Sequence, residues 1–170
     1  MLLTAQEYAD EISPELLGFD CGDEPYAIEV AQWIQGRPAE AYDSLPRSLA
    51  DGTRVWVYRD EAQQIVGYAA LGATTWRWPP PSGEKQTMSI IPWFGIHKNF
   101  HGKPTGVAQH ERYSYQMMGH LIARARETGN EFVVLFVEAH NDRAKRFYEN
   151  VGFVTIDERK GYLRMVMNLR

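Results

Sequence analysis

The stretch Phe132–Glu138, FVVLFVE, restricts the possible folds more than any other part of this sequence, because no polar side chain occurs in it before the closing glutamate. A strand that is apolar at consecutive positions is buried on both faces, the condition of a sheet interior covered by helices. A helix signal follows at once. Asn141 is a good N-cap, Ala144, Phe147, Tyr148 and Val151 recur at three-to-four-residue spacing, and Gly152 supplies a stop. A doubly buried strand running into a capped helix predicts a layered α/β architecture.

The flanking sequence extends that pattern. Met117, Met118, Leu121, Ile122 and Ala125 mark a second helix, closed by Gly129, with the methionines serving as core filler. Residues 53–59 carry Val55, Trp56, Val57 and Tyr58 and suit another strand buried on both faces. Residues 64–76 and 86–97 read as strands on either side of Pro79, Pro80, Pro81, Ser82 and Gly83, so a hairpin loop and antiparallel pairing are expected there. Residues 153–156 and 162–169 supply two further strands. Residues 4–50 show helical spacing, as at Ile28, Ala31, Trp33 and Ile34, interrupted by Pro25, Pro38 and Pro46, which predicts several short helices. The order predicts a mixed α/β fold: one domain over residues 1–170, with a central mixed sheet of six or seven strands flanked by helices.

Charge and composition exclude some functions. The formal net charge of −4 disfavours a general nucleic-acid binder, which needs a basic surface to displace counterions. The halves differ: residues 1–85 hold six Lys and Arg against fourteen Asp and Glu, and residues 86–170 hold twelve against eight, so the second half suits an anionic ligand better. Cys21 is the sole cysteine, which rules out an internal disulfide and fits a reducing compartment. No apolar run approaches the roughly 20 residues of a membrane span, and MLLTAQEYAD lacks the marks of a signal peptide; a cytoplasmic protein is expected. His97, His101, His110, His120 and His140 show no paired-ligand spacing, so no metal is expected.

Taken together, Leu135, Val137, Asn141, Ala144, Phe147, Tyr148, Gly152 and Phe153 give L-x-V-x-x-x-N-x-x-A-x-x-F-Y-x-x-x-G-F, which resembles the strand-helix segment of the GNAT N-acetyltransferases. Residues 91–96 look like that family's central fourth strand. His101, Gly102, Lys103, Pro104, Thr105 and Gly106 fall where the family has its pyrophosphate loop, Q/R-x-x-G-x-G/A. Two departures stand out: His101 replaces the Gln or Arg, and Pro104, which has no amide hydrogen, replaces the first glycine. The helix after Gly106 is longer than the family pattern by about two turns, so residues 107–114 read as an insertion or extended loop. The pyrophosphate then rests either on amides after Gly102 or on a helix N-terminus near Ser114 and Tyr115, or on a mixture with Gly102, Lys103 and Gly106 in the loop.

The resemblance implies an acyl-CoA-dependent N-acetyltransferase that uses acetyl-CoA as co-substrate and delivers acetyl to an amine acceptor by direct attack in a ternary complex. It implies that Phe94, Gly95 and Ile96 bind the pantetheine between splayed fourth and fifth strands, and that His101, Gly102, Lys103 and Gly106 hold the pyrophosphate. Asn141, Ala144 and Phe147 complete the cofactor-binding set, and Tyr148 stands at the general-acid position, where a phenol stays protonated at neutral pH. For the base, Glu138 and His97 are alternatives, each acting through water. The acceptor is expected to be an amine of a small molecule or peptide. Trp76, Trp78, Trp93 and Phe94 are candidates to line an apolar or cation-binding pocket for it. A homodimer through the late strands is compatible with the resemblance. Two alternatives remain open. Phe19, Asp20, Cys21 and Gly22, with a helix around Trp33, faintly resemble acetyltransferase toxins that modify charged tRNA, for which Arg112, Arg124, Arg126, Arg143, Lys145 and Arg146 would form the basic patch. The altered phosphate loop instead suits a CoA-binding, non-catalytic sensor or interaction module.

Overall fold

The computed structural model describes residues 3–8 and 52–170. Seven strands, β1 (Thr4–Tyr8), β2 (Arg54–Arg59), β3 (Ile65–Trp78), β4 (Glu84–Ile96), β5 (Phe132–Glu138), β6 (Val154–Arg159) and β7 (Tyr162–Asn168), join one sheet in the order β1-β2-β3-β4-β5-β7-β6. Among the described residues two α-helices accompany them, α1 (Tyr113–Glu127) and α2 (Asp142–Val151). The sheet is mixed: β4 pairs parallel with β5 at Ser89↔Val133 and Ile90↔Val134, while β1–β2, β5–β7 and β6–β7 are antiparallel. The mixed α/β class follows the element order expected from the sequence.

One expectation is corrected at the start of the chain. Residues 4–8, read as the beginning of a helical region, form a strand that pairs from Thr4↔Arg59 to Tyr8↔Val55. Weak local propensity yields here to the open edge of β2, and Glu7 fastens the pair with a two-pronged ion pair to Arg54, at 2.7 and 3.0 Å. The short helices expected around Ile28, Ala31, Trp33 and Ile34 lie outside the described residues.

The described residues fall into two compact units: those within Met1–Ala70 together with Trp93–His120, and Leu71–Pro92 with Leu121–Arg170. In the first, Val55, Trp56, Val57 and Tyr58 are all buried, the doubly covered strand that their sequence predicts. They share a core with Tyr68, Phe94, Met117 and Met118. Gly67 is needed where it stands, because a Cβ there would lie 2.6 Å from the Gly95 carbonyl oxygen and from the Met117 methyl.

In the second unit Met88, Phe132, Val134 and Val166 form a core cluster, with Trp76, Trp78, Ile90 and Ile156 packed against it. The turn between β3 and β4 is closed by the Gly83 N–H donating to the Pro79 carbonyl at 2.8 Å, where the run of prolines predicts a hairpin loop. Buried Ser89 is satisfied at the end of α1: its hydroxyl lies 3.2 Å from that of Thr128 and accepts from the Asn130 carboxamide at 3.1 Å. Gly129 and Gly152 follow the two helices with φ of 77° and 123°, as their roles as helix stops require.

Candidate active site

In the first unit, β4 ends at Phe94, Gly95 and Ile96, of which Phe94 and Gly95 are buried. The next amide, His97 N–H, donates to the Val66 carbonyl of β3 at 2.8 Å. In a trans peptide the C=O and N–H point in opposite directions, so the Ile96 carbonyl is directed away from β3. There it meets His101 Nε2 at 3.0 Å, a ring nitrogen that donates its hydrogen to the carbonyl. His101, expected beside a pyrophosphate, thus turns its side chain back onto the strand. His97 caps the single turn Lys98–Phe100, its Nδ1 accepting from the Asn99 amide at 3.1 Å.

The loop that follows is open at its glycines and closed at its lysine. Gly102 and Gly106 take left-handed φ values of 69° and 73°, with no neighbouring atom within 4 Å of where a Cβ would stand. Both backbone groups of Lys103 are committed, its N–H to the Phe100 carbonyl at 3.1 Å and its C=O to the Tyr113 N–H at 2.8 Å, whereas the side chain is exposed. Residues 107–112 form the extended loop suggested by the sequence. It is shaped by a turn at Gln109–Glu111 in which the Ala108 amide donates to Glu111 Oε2 at 3.0 Å. Helix α1 begins at Tyr113, just before the Ser114 and Tyr115 start considered from sequence. Burial first, then the negative charges of Asp60 and Glu61, push the Tyr113 phenol up from its ordinary range.

In the second unit, the expected strand and helix appear at the predicted places. β5 ends at Glu138, which lies opposite Tyr162 of β7, and its carbonyl accepts from the Asn141 N–H at 3.0 Å. Asn141 is buried, and its Oδ1 accepts from the Ala144 amide at 3.1 Å, capping α2. Ala144, Phe147 and Tyr148 fall on one face of α2 by their spacing. The Tyr148 ring is 3% exposed and packs edge-to-face on Phe153 at 5.9 Å and tilted against Phe147 at 5.3 Å.

The first unit therefore groups Phe94, Gly95, Ile96, His97 and His101 to Gly106, and the second groups Glu138, Asn141, Ala144, Phe147 and Tyr148. Sequence reasoning passed over one further group in the second unit. Arg164, in the middle of the apolar strand β7, is buried and grips Asp157 of β6 with Nε and Nη2, both at 2.6 Å. Its guanidinium stacks 4.6 Å over Trp76, whose ring meets Phe136 at 5.6 Å. The Arg164 guanidinium holds the Asp157 carboxyl below the usual carboxylate range, and Asp157 in turn raises Arg164. The one available signal was an arginine within YLRMVMN. The β6 irregularity between Thr155 and Asp157 that brings Asp157 opposite it has no sequence mark. One face of Trp76, a candidate for lining an apolar or cation-binding acceptor pocket, is thus taken by an internal cation.

Among the described residues, no three or more His, Cys, Asp or Glu side chains converge as a metal would require, and no helix is long and apolar enough to cross a membrane.

The Acetyltransferase (GNAT) family matches residues 22–153. An uncharacterized N-acetyltransferase, YycN, of Bacillus subtilis (strain 168) is 30% identical over 117 residues, which cover 68% of this chain and 65% of YycN. The match thus spans just under two thirds of that relative's length. Among solved structures, a bacterial toxin superposes with a TM-score of 0.69 at 15% identity, covering 98% of this chain and 90% of its own. AtaTR bound with AcCoA superposes with a TM-score of 0.64 at 18% identity, covering 98% and 94%. AtaT has also been solved complexed with acetyl-methionyl-tRNAfMet, with a TM-score of 0.59, 18% identity and coverage of 95% and 93%. At these identities the solved structures show a shared fold.

Proposed function

The chain belongs to the Acetyltransferase (GNAT) family, and from that premise we propose that it is an N-acetyltransferase carrying acetyl from acetyl-CoA to an amine of a small molecule or peptide, by direct attack in a ternary complex. The observation that carries this reading is the β5–α2 segment, in which a capping Asn141 and a buried Tyr148 follow a doubly buried strand.

Acetyl-CoA supplies an activated thioester carbonyl. The exposed Lys103 ammonium, the open turns at Gly102 and Gly106 and the N-terminus of α1 suit its pyrophosphate. His101 contributes by holding the loop against β4. Backbone groups of Phe94, Gly95 and Ile96 line the pantetheine, and an amide there polarises the thioester carbonyl as the amine attacks. Asn141 has committed its oxygen to Ala144, so its carboxamide NH2 is what it offers to the pantetheine, with Ala144 and Phe147 beside it. As the new C–N bond forms and the C–S bond breaks, the Tyr148 hydroxyl gives its proton to the departing sulfur. Glu138 or His97 removes the amine proton through water; His97 does so at Nε2, since Nδ1 serves the Asn99 amide. The chain acts as a single domain in the cytoplasm.

A second reading has specific support. Pro104 lacks an amide hydrogen, and the Lys103 amide donates to Phe100, so the loop offers fewer donors than the family's motif and suits a protein that binds CoA without turnover. For the acceptor, the AtaT complex makes an aminoacyl-tRNA the competitor, which the net charge of −4 disfavours.

The test is calorimetric titration of acetyl-CoA into the wild type and Tyr148→Phe, then thiol release with small amines, a peptide and an aminoacyl-tRNA. Binding by both proteins, with turnover on small amines or the peptide slowed in the variant by about 10²–10⁴-fold, supports the proposal. Binding without turnover selects the sensor, turnover on aminoacyl-tRNA alone selects the toxin-like enzyme, and absence of binding by the wild type overturns the proposal.

A further inference from the structure

Among the described residues the buried polar or charged side chains are Ser89, Asn141 and Arg164. Ser89 and Asn141 are explained by the helix ends they satisfy. Arg164 is not explained by packing. Its side chain is 10% exposed, and a guanidinium carries five N–H donors, of which Asp157 engages two. The remaining three, two on Nη1 and one on Nη2, have no partner among the described residues. The Asp157 side chain is 33% exposed, and an ion pair open to water on one side adds little stability over apolar replacements, so stability alone does not account for the pair.

Register places this cation beside the candidate base. Arg164 of β7 lies opposite Phe136 of β5, and Tyr162 lies opposite Glu138. Alternation along β5 puts Phe136 and Glu138 on one face, so Glu138 and Arg164 are diagonal neighbours on that face, about 7–8 Å apart at their backbones and within reach of long side chains. Trp76, stacked under the guanidinium and edge-on to Phe136, lies on the same face.

We propose that this face is the acceptor subsite, with the uncommitted N–H groups of Arg164 binding a carboxylate of the acceptor, Phe136 and Trp76 packing its apolar part, and its amine lying at Glu138. The acceptor is then a small amino acid derivative with a free amine and a free carboxylate. Asp157 acts as a positioning residue: it holds the guanidinium over Trp76 so that the opposite edge faces the ligand. This inference rests on the acetyltransferase reading and narrows its acceptor.

The test uses matched probes that differ by one carboxylate: phenylalanine against 2-phenylethylamine, and leucine against 3-methylbutylamine. Each is titrated into the protein loaded with acetyl-CoA and assayed by thiol release. The wild type is expected to favour the carboxylate-bearing member of each pair by about tenfold to hundredfold, the preference residing in KM. Arg164→Met combined with Asp157→Leu, which removes both charges together, is expected to abolish the preference while acetyl-CoA affinity is retained; Asp157→Asn, which leaves the cation, is expected to weaken it. Equal use of the members of a pair, a preference that survives in the double variant, or failure of both amino acids to bind a wild type that binds acetyl-CoA overturns the inference alone. A wild type that does not bind acetyl-CoA overturns this inference together with the reading beneath it.

Discussion

Tyr58 Oη lies 2.8 Å from His120 Nδ1 and joins the buried middle of strand β2 to helix α1 within the first unit. Burial pushes the phenol far above its ordinary range, so it stays protonated and keeps this hydrogen bond through neutral pH. The imidazole sits edge-on to both Trp56 and Tyr58. Above about pH 10 the unfolded chain releases the Tyr58 proton while the folded chain keeps it. The stability from this residue is therefore present below the unfolded pKa and declines above it, by up to about 1.4 kcal/mol per pH unit. Urea unfolding on the alkaline side should show that slope in the wild type and lose this part of it in Tyr58→Phe. At neutral pH the variant should be less stable by about 1–3 kcal/mol, since His120 loses the Tyr58 hydroxyl as a hydrogen-bond partner.

The Asp157–Arg164 pair makes an acid-side prediction of opposite sign. A carboxyl held below its ordinary range contributes stability above the unfolded pKa, about 3.9, and loses it as pH falls through the folded value. Thermal midpoints measured downward from neutral pH should fall less steeply in Asp157→Asn than in the wild type. Parallel slopes would mean that the pair is not linked to folding.

Close approach at Gly67 should tolerate no side chain. Gly67→Ala sets a methyl 2.6 Å from the Gly95 oxygen and the Met117 methyl, so a loss of about 1–3 kcal/mol is expected. Urea unfolding would show it as a lower midpoint with an unchanged slope.

Asn141 separates capping from ligand binding. Asn141→Ala removes the acceptor for the Ala144 amide and should cost about 0.5–2 kcal/mol. Asn141→Asp retains a cap but loses the carboxamide donor, so its melting temperature should stay near that of the wild type while acetyl-CoA affinity falls. Unchanged affinity would confine Asn141 to the helix end.

What the sequence disclosed depended on how local each signal is. β5 and α2 were legible to within a residue or so because an apolar run, a cap and a glycine stop act on neighbours in the chain. β1 was not, since nothing within TAQEY distinguishes a strand; its conformation comes from pairing with β2, some fifty residues away. The candidate site divides in the same way. Tyr148 and Asn141 were read from a contiguous motif. The turn of His101 onto Ile96 depends on the single turn Lys98–Phe100 between them, and the meeting of Asp157 with Arg164 depends on a register shift in β6. Neither the turn nor the shift carries a residue pattern of its own.

The bond from His101 to Ile96 also makes the loop and the strand end into a lever. Lys103 is two residues beyond the imidazole, and its carbonyl is latched to the first amide of α1. A pull on the lysine is thus carried through one ring to the last carbonyl of β4, and through one peptide to the helix. The loop is braced at both ends like a strut, so a bound anion would load the strand tip and the helix together.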